Sequence, residues 1–126
     1  MVDVNYLKRV NDTYGHERGN IYLMNAVKLI SSVFGAENVF RIGGDEFVVI
    51  LEGDKVSLSK YFVKQFKAEM ERKNSNQSLE AWEKVSAAVG VSIYNSAKDK
   101  TADEVFKRAD KEMYDNKLAM KAARTD

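Results

Sequence analysis

The chain has 126 residues, enough to bury one core and too few for two domains. It is 44% hydrophobic and 31% charged, which reads as soluble and globular, and its 20 Lys plus Arg against 19 Asp plus Glu leave a net charge of +1 that makes no general case for nucleic-acid or membrane-surface binding. The absence of cysteine excludes a disulfide scaffold, a thiolate zinc site and a cysteine nucleophile. With no apolar run near the roughly 20 residues of a membrane span and no basic start leading into an apolar stretch, a cytoplasmic domain is expected.

Met1–Val4 reads as the tail of a strand. Leu7, Val10 and Tyr14 fall at helical spacing, and Gly15 is a stop. A longer helix follows, with Leu23, Ala26, Val27, Ile30 and Val33 as its apolar stripe and Gly35 at its end. Val39–Ile42 and Phe47–Leu51 read as a hairpin around Gly43-Gly44-Asp45, and the unbroken apolar run of the second strand predicts that it is covered on both faces. Leu58, Phe62, Phe66 and Met70 mark a third helix. Val85, Ala87, Val89, Val91 and Ile93 then alternate with smaller or more polar residues, which predicts a strand from Val85 to Tyr94. Thr101 with Glu104 forms a capping box for a last helix bearing Val105, Phe106, Ala109, Met113 and Met120. The order is βαββαβ-like: an α+β sandwich with helices on a largely antiparallel sheet.

Asp3 ends the first strand, and Asp45 and Glu46 sit at the hairpin. If those strands are neighbours, three carboxylates meet at one sheet edge, the oxygen donor type that Mg²⁺ shares with substrate phosphates; acidic residues at turns are also common for purely local reasons. Gly43-Gly44 leaves bare backbone for a ligand, or makes an ordinary type I′ turn. Asn5–Lys8 opens a helix whose free N–H groups suit an anion, and Asn5 is a good capping residue. Lys117 and Lys121, four apart on one helical face, suit phosphates or simply a solvated helix end. The single histidine, His16, reads as a cap or packed side chain. No phosphate loop, strand-linked Gly-x-Gly-x-x-Gly, His-Glu-x-x-His or Gly-x-Ser-x-Gly is present.

Arg41-Ile42-Gly43-Gly44-Asp45-Glu46-Phe47 resembles the signature of the GGDEF family, the diguanylate cyclases. Asp3 through His16 looks like that family's first metal and nucleotide segment, and Arg108-Ala109-Asp110-Lys111-Glu112-Met113-Tyr114 with Lys117 looks like its final helix. The resemblance implies a palm-like sheet similar to nucleotide cyclases and polymerases. It also implies condensation of two GTP into cyclic di-GMP plus pyrophosphate, by attack of each 3′-hydroxyl on the other's α-phosphate across a transient homodimer. It assigns Asp3, Asp45 and the Val4 carbonyl to Mg²⁺ or Mn²⁺, and leaves Glu46 as a further ligand or as the group that activates the 3′-hydroxyl. Tyr6 and Leu7 N–H groups would cradle the phosphates and Lys117 neutralise them. Gly43 and Gly44 would let the nucleotide lie against the hairpin, Asn11 would read guanine, and Tyr6 and Leu23 would wall the base.

Several positions depart from the family pattern. Asn20 stands where Asp is usual. Replacing a charge-assisted bond of about 1.5–3 kcal/mol by a neutral one of about 0.5–1.5 would weaken GTP binding by roughly 1 kcal/mol, while a carboxamide suits adenine's donor and acceptor; the position reads either as relaxed selectivity that admits ATP or as tolerated drift with Asn11 sufficient for guanine. Lys121 replaces Arg, keeping the charge and losing the fork. Phe34-Gly35-Ala36-Glu37 stands where the family's inhibitory Arg-x-x-Asp would be, so no inhibitory site is expected. The alternative function is a GTP-binding regulatory module without turnover; a structural dimerisation unit fits the intact signature less well. The resemblance also implies a single domain over 1–126 that lacks the family's upstream helix and the first part of strand one, and a fused or separate sensor domain.

Overall fold

The computed structural model describes residues 1–123. Four strands and four main helices follow one another as β1 (Val2–Val4), α1 (Leu7–Tyr14), α2 (His16–Phe34), β2 (Val39–Arg41), β3 (Glu46–Val49), α3 (Ser59–Asn74), β4 (Ala87–Val89) and α4 (Ala102–Ala122). This is the expected order. The strands form one antiparallel sheet in the order β2-β3-β1-β4.

Alternation along the strands divides the sheet into two faces. Val2, Val4, Phe47, Ala87 and Val89 belong to the main core with Leu23, Ala26, Ile30 and Phe34 of α2 and Phe66 and Met70 of α3. The buried positions of α2 are Gly19, Tyr22, Leu23, Ala26, Ile30 and Phe34; Val27 and Val33, expected in its stripe, lie half-buried at the margin. Met1 and Ala88 form a second, smaller cluster with Ala109 and Met113 of α4, against which Val48 packs.

Both long strand expectations shorten. β4 ends at Val89, because Val2 is opposite Val89 and the ladder closes with Met1 and Gly90 exchanging N–H···O bonds at 3.0 Å. Val91–Tyr94 lie outside the sheet. β3 is an interior strand with Phe47 buried in the main core and Val48 half-buried on the α4 side, and the apolar run leaves the sheet at Ile50, which is 50% exposed. An apolar cleft of about 590 Å³ opens at the Met1 end of the sheet, between Val48–Leu51 and Val91–Tyr94, and no charged side chain lines it.

The last helix is capped as expected on one side only. Thr101 Oγ1 accepts the Glu104 N–H at 3.4 Å, but the Glu104 carboxylate takes the N–H of Lys100, at 2.8 Å, instead of returning to Thr101. Phe106, placed in the apolar stripe by its spacing, is 40% exposed. Among the described residues, no helix is long and apolar enough to cross a membrane.

Candidate functional site

β1 presents Val2 and Val4 to the main core, so Asp3 between them must face α4. Its register partners are Glu46 on β3 and Ala88 on β4. Small residues on β4 let α4 approach closely. A Cβ added to Gly90 would lie 2.2 Å from the Met113 backbone N and 2.3 Å from the Ala109 O, inside any allowed contact. Asn116 fixes the helix along its axis, its Oδ1 accepting the Val89 N–H at 2.9 Å. The next residue, Lys117, is thereby placed with Nζ 2.9 Å from Asp3 Oδ2.

Asp3 is deeply placed, its side chain 10% exposed against 41% for Lys117. Its second oxygen, Oδ1, is buried without a hydrogen-bond partner. Leaving a carboxylate oxygen dry and unsatisfied is costly, and a cation reaching Asp3 would relieve that cost. Among the described residues, no group of three or more His, Cys, Asp or Glu side chains is placed to hold a metal ion. The expected meeting of three carboxylates is thus a facing pair, Asp3 and Glu46, with Asp45 in the adjoining turn. That set fits a Mg²⁺-like ion, which takes one or two carboxylates and completes its shell with phosphate oxygens and water.

The turn itself is pinned rather than loose. Val4 N–H donates to Asp45 O at 2.8 Å, tying the turn to β1. Arg41 donates from Nε to Gly43 O at 3.0 Å and from Nη2 to Gly44 O at 2.7 Å. Neither Gly43 nor Gly44 has positive φ, so the type I′ reading of the pair does not hold. A Cβ on Gly44 would meet nothing within 4 Å, and one on Gly43 would meet only the Glu46 side chain at 3.5 Å, an ordinary contact. The turn does not need these glycines; their effect is to leave an exposed, side-chain-free surface beside Asp45 and Glu46.

At the other side of Asp3 the chain enters α1. Asn5 does not cap that helix, against expectation. It is buried, with Nδ2 donating to Ser86 Oγ at 3.1 Å and lying 3.6 Å from Met120 Sδ, while its carbonyl accepts the Tyr22 hydroxyl at 2.7 Å. The cap position falls to Tyr6, at φ 67° and ψ 8°, and no side chain caps α1. A left-handed tyrosine is uncommon and strained; here it turns the chain from Asp3 into α1 without its own side chain capping the helix. Arg9 stacks its guanidinium 5.7 Å from the Tyr6 ring centroid.

Gly15, at φ 93° and ψ 163°, makes the abrupt junction between α1 and α2. A side chain would be strained there. It sets Asn11 on α1 against Gly19 near the start of α2, and Asn20, the next residue, is exposed. Leu23 is 8% exposed and belongs to the main core, with Tyr6 and Leu7 half-buried against the same cluster. Lys121 lies one turn beyond Lys117 and is exposed. His16 is exposed at the first position of α2, neither buried nor packed. Arg41, Gly90 and Asn116 are the positioning residues that the sequence did not single out. An isolated glycine in a strand pattern is a recognisable sign of close backbone approach; Asn116 carries no such sign.

The family described as "Diguanylate cyclase, GGDEF domain" matches residues 1–123. The chain belongs to the GGDEF family. Diguanylate cyclase A of Treponema denticola is 33% identical over 118 residues, covering 93% of this chain and 31% of that protein. A diguanylate cyclase of Vibrio cholerae is 28% identical over 114 residues, covering 90% of this chain and 34% of that protein. The GGDEF chain therefore spans about a third of the length of these curated relatives. Among solved structures, the active GGEEF domain of a Vibrio cholerae diguanylate cyclase superposes with a TM-score of 0.72 at 26% identity, covering 94% of this chain and 74% of that one. The antiparallel sheet with its helices is thus the fold of GGDEF cyclase domains.

Proposed function

We propose that this GGDEF domain is a diguanylate cyclase that binds GTP with Mg²⁺ or Mn²⁺ and, as a transient homodimer, joins two GTP into cyclic di-GMP. In each half-reaction a ribose 3′-oxygen bonds to the α-phosphorus of the GTP held by the other copy. The bond from that phosphorus to the β-phosphate oxygen breaks, and pyrophosphate leaves. The observation that carries this reading is the Asp3 carboxylate: one oxygen on Lys117, the other buried and unsatisfied, directly across the ladder from Glu46.

Asp3, Asp45 and the Val4 carbonyl would hold the cation, which when bound supplies charge neutralisation and polarisation of the phosphoryl oxygens. Glu46 would complete that shell or accept the 3′-hydroxyl proton. Lys117 and Lys121 would take the β- and γ-phosphates, with the start of α1 near Tyr6 and Leu7 as a second anion cradle. The bare Gly43-Gly44 backbone would admit the nucleotide against the hairpin. Asn11 and Asn20 would face the base, with Tyr6 and Leu23 beside it. Two copies holding their nucleotides face to face reduce catalysis mainly to positioning. A sensor domain, fused or separate, would govern that encounter. The reading also places the domain in the cytoplasm, without nucleic-acid or membrane contact.

Asn20 and Lys121 favour one further reading, a module that holds GTP with little turnover. A single experiment separates the two: incubation with Mg²⁺ and equimolar GTP and ATP, followed by chromatography of the products. Cyclic di-GMP is expected, with a mixed guanine-adenine product through Asn20, and none of either from Asp45→Ala. Tight GTP binding without product would favour the module, and cyclic di-GMP alone at undiminished GTP affinity would remove the role given to Asn20.

A further inference from the structure

We infer that Gly19 is a positioning residue for base recognition: its missing side chain is the space into which the Asn11 amide fits. The inference rests on the reading of Asn11 as a residue that faces the guanine. A Cβ added to Gly19 would fall 1.6 Å from Asn11 Oδ1, 2.7 Å from its Cγ and 3.5 Å from its Nδ2. These are the three nearest atoms, and all belong to one side chain.

Nothing in the backbone at position 19 calls for glycine. It lies inside α2, it is not among the positive-φ residues, and its N–H makes a regular helical bond to Gly15 O at 3.0 Å. Alanine is the better helix former at such a position, so the helix itself would favour a side chain there.

The contrast with Gly90 defines what the glycine does. At Gly90 a Cβ meets the backbone of α4, which cannot move without undocking the helix. At Gly19 it meets the far end of a short, rotatable side chain. A methyl group at position 19 therefore swings the Asn11 amide away and leaves the α1–α2 pair standing. Because Asn20 follows directly in the chain, the same turn of α2 that admits Asn11 also presents the second residue proposed to face the base. The bare turn at Gly19 thus sets where two carboxamides stand relative to one another.

The test uses the full chain as Gly19→Ala, Asn11→Ala and the double variant. Thermal unfolding is measured on each, together with calorimetric binding of GTP and of inorganic tripolyphosphate, a probe with no base, both with Mg²⁺. For Gly19→Ala the unfolding temperature is expected to hold or rise. GTP affinity is expected to fall roughly three- to tenfold, the range of one lost hydrogen bond, while tripolyphosphate affinity stays unchanged. The double variant is expected to bind GTP no more weakly than Asn11→Ala alone, since the atom that the methyl would strike is gone.

The inference is overturned if Gly19→Ala binds GTP like the parent while Asn11→Ala does not. Equal losses on GTP and tripolyphosphate overturn it, and so do losses that add in full in the double variant. A lowered unfolding temperature for Gly19→Ala would show that more than the amide has to give way, and would also overturn it. If Asn11→Ala leaves GTP affinity intact, the fault lies in the reading of Asn11, and the inference falls with it.

Discussion

On the face turned to α2 and α3, Val2, Val4, Phe47 and Val89 interlock with Ile30, Phe34, Phe66 and Met70, and none of these is more than 9% exposed. On the face turned to α4, Asp3 lies between Glu46 and Ala88, and the helix sits on Ala88 and Gly90 so closely that a single added carbon would collide with its backbone. The first face holds by apolar volume. The second holds by close approach and by two polar hooks, Asn116 to the Val89 N–H and Lys117 to Asp3. The difference has a functional sense. A carboxylate proposed to receive a cation could not be sealed unpaired among leucines and phenylalanines without a cost of several kcal/mol. Placing Asp3 under a helix that brings its own lysine pairs one carboxylate oxygen with Lys117 and leaves the other without a hydrogen-bond partner.

Substitutions in the two faces should therefore part stability from ligand binding. The largest expected effect is at Phe66, 0% exposed in the main core. Phe66→Ala removes an aromatic ring from a packed interior and is expected to cost about 3–5 kcal/mol in urea unfolding. The fraction that remains folded should still bind GTP with parent affinity. Gly90→Ala is expected to cost less, about 1–3 kcal/mol, the usual range for overpacking. It should also weaken GTP binding, because α4 must lift and Lys117 moves with it. If Gly90→Ala lowers stability and leaves GTP affinity untouched, α4 does not position Lys117 for the phosphate role proposed for it, and the division between the faces fails.

The sequence carried the two faces unequally. The main core was legible, since Leu23, Ala26, Ile30, Phe66 and Met70 recur at helical spacing and periodicity is a local property. Strand lengths were not, because a ladder depends on pairing with a neighbour and local alternation does not report it: Val91 and Ile93 alternate like strand residues, yet β4 ends at Val89. At the site, Asp3, the glycine turn and Lys117 were legible as types of residue suited to metal and phosphate. Their mutual placement was not, for it depends on Asn116 reaching Val89 and on Gly90 lying against Ala109 and Met113, contacts made only when α4 docks. Asn5 misled for the opposite reason. Its local preference for capping gives way to a buried tertiary position beside Ser86 and Met120.

The smallest expected effect tests how the α4 face is closed at its outer end. Between β4 and α4 the chain folds around Asp99, whose carboxylate pairs with Arg108 of α4 and accepts the Asn95 N–H at 2.9 Å. Arg108 Nη2 also donates to Ile93 O at 3.0 Å, so one guanidinium fastens both ends of the loop. The hydrogen bonds from Arg108, and then that from the Asn95 backbone, lower the Asp99 pKa from 3.8 to about 2. A carboxylate whose folded value is depressed contributes stability that is in full force above its unfolded value and is lost as pH falls through the folded one. The window is thus pH 4 down to about 2. Arg108→Leu leaves Asp99 without its cation, so the variant should be less stable than the parent near neutrality. The gap should narrow as pH drops through that window, because protonated Asp99 no longer needs the partner. Urea midpoints for both proteins at intervals from pH 6 to pH 2 measure this directly. A gap that stays constant across the range would mean that Arg108 acts through packing of its alkyl stem against α4, and that the loop is held without the ion pair.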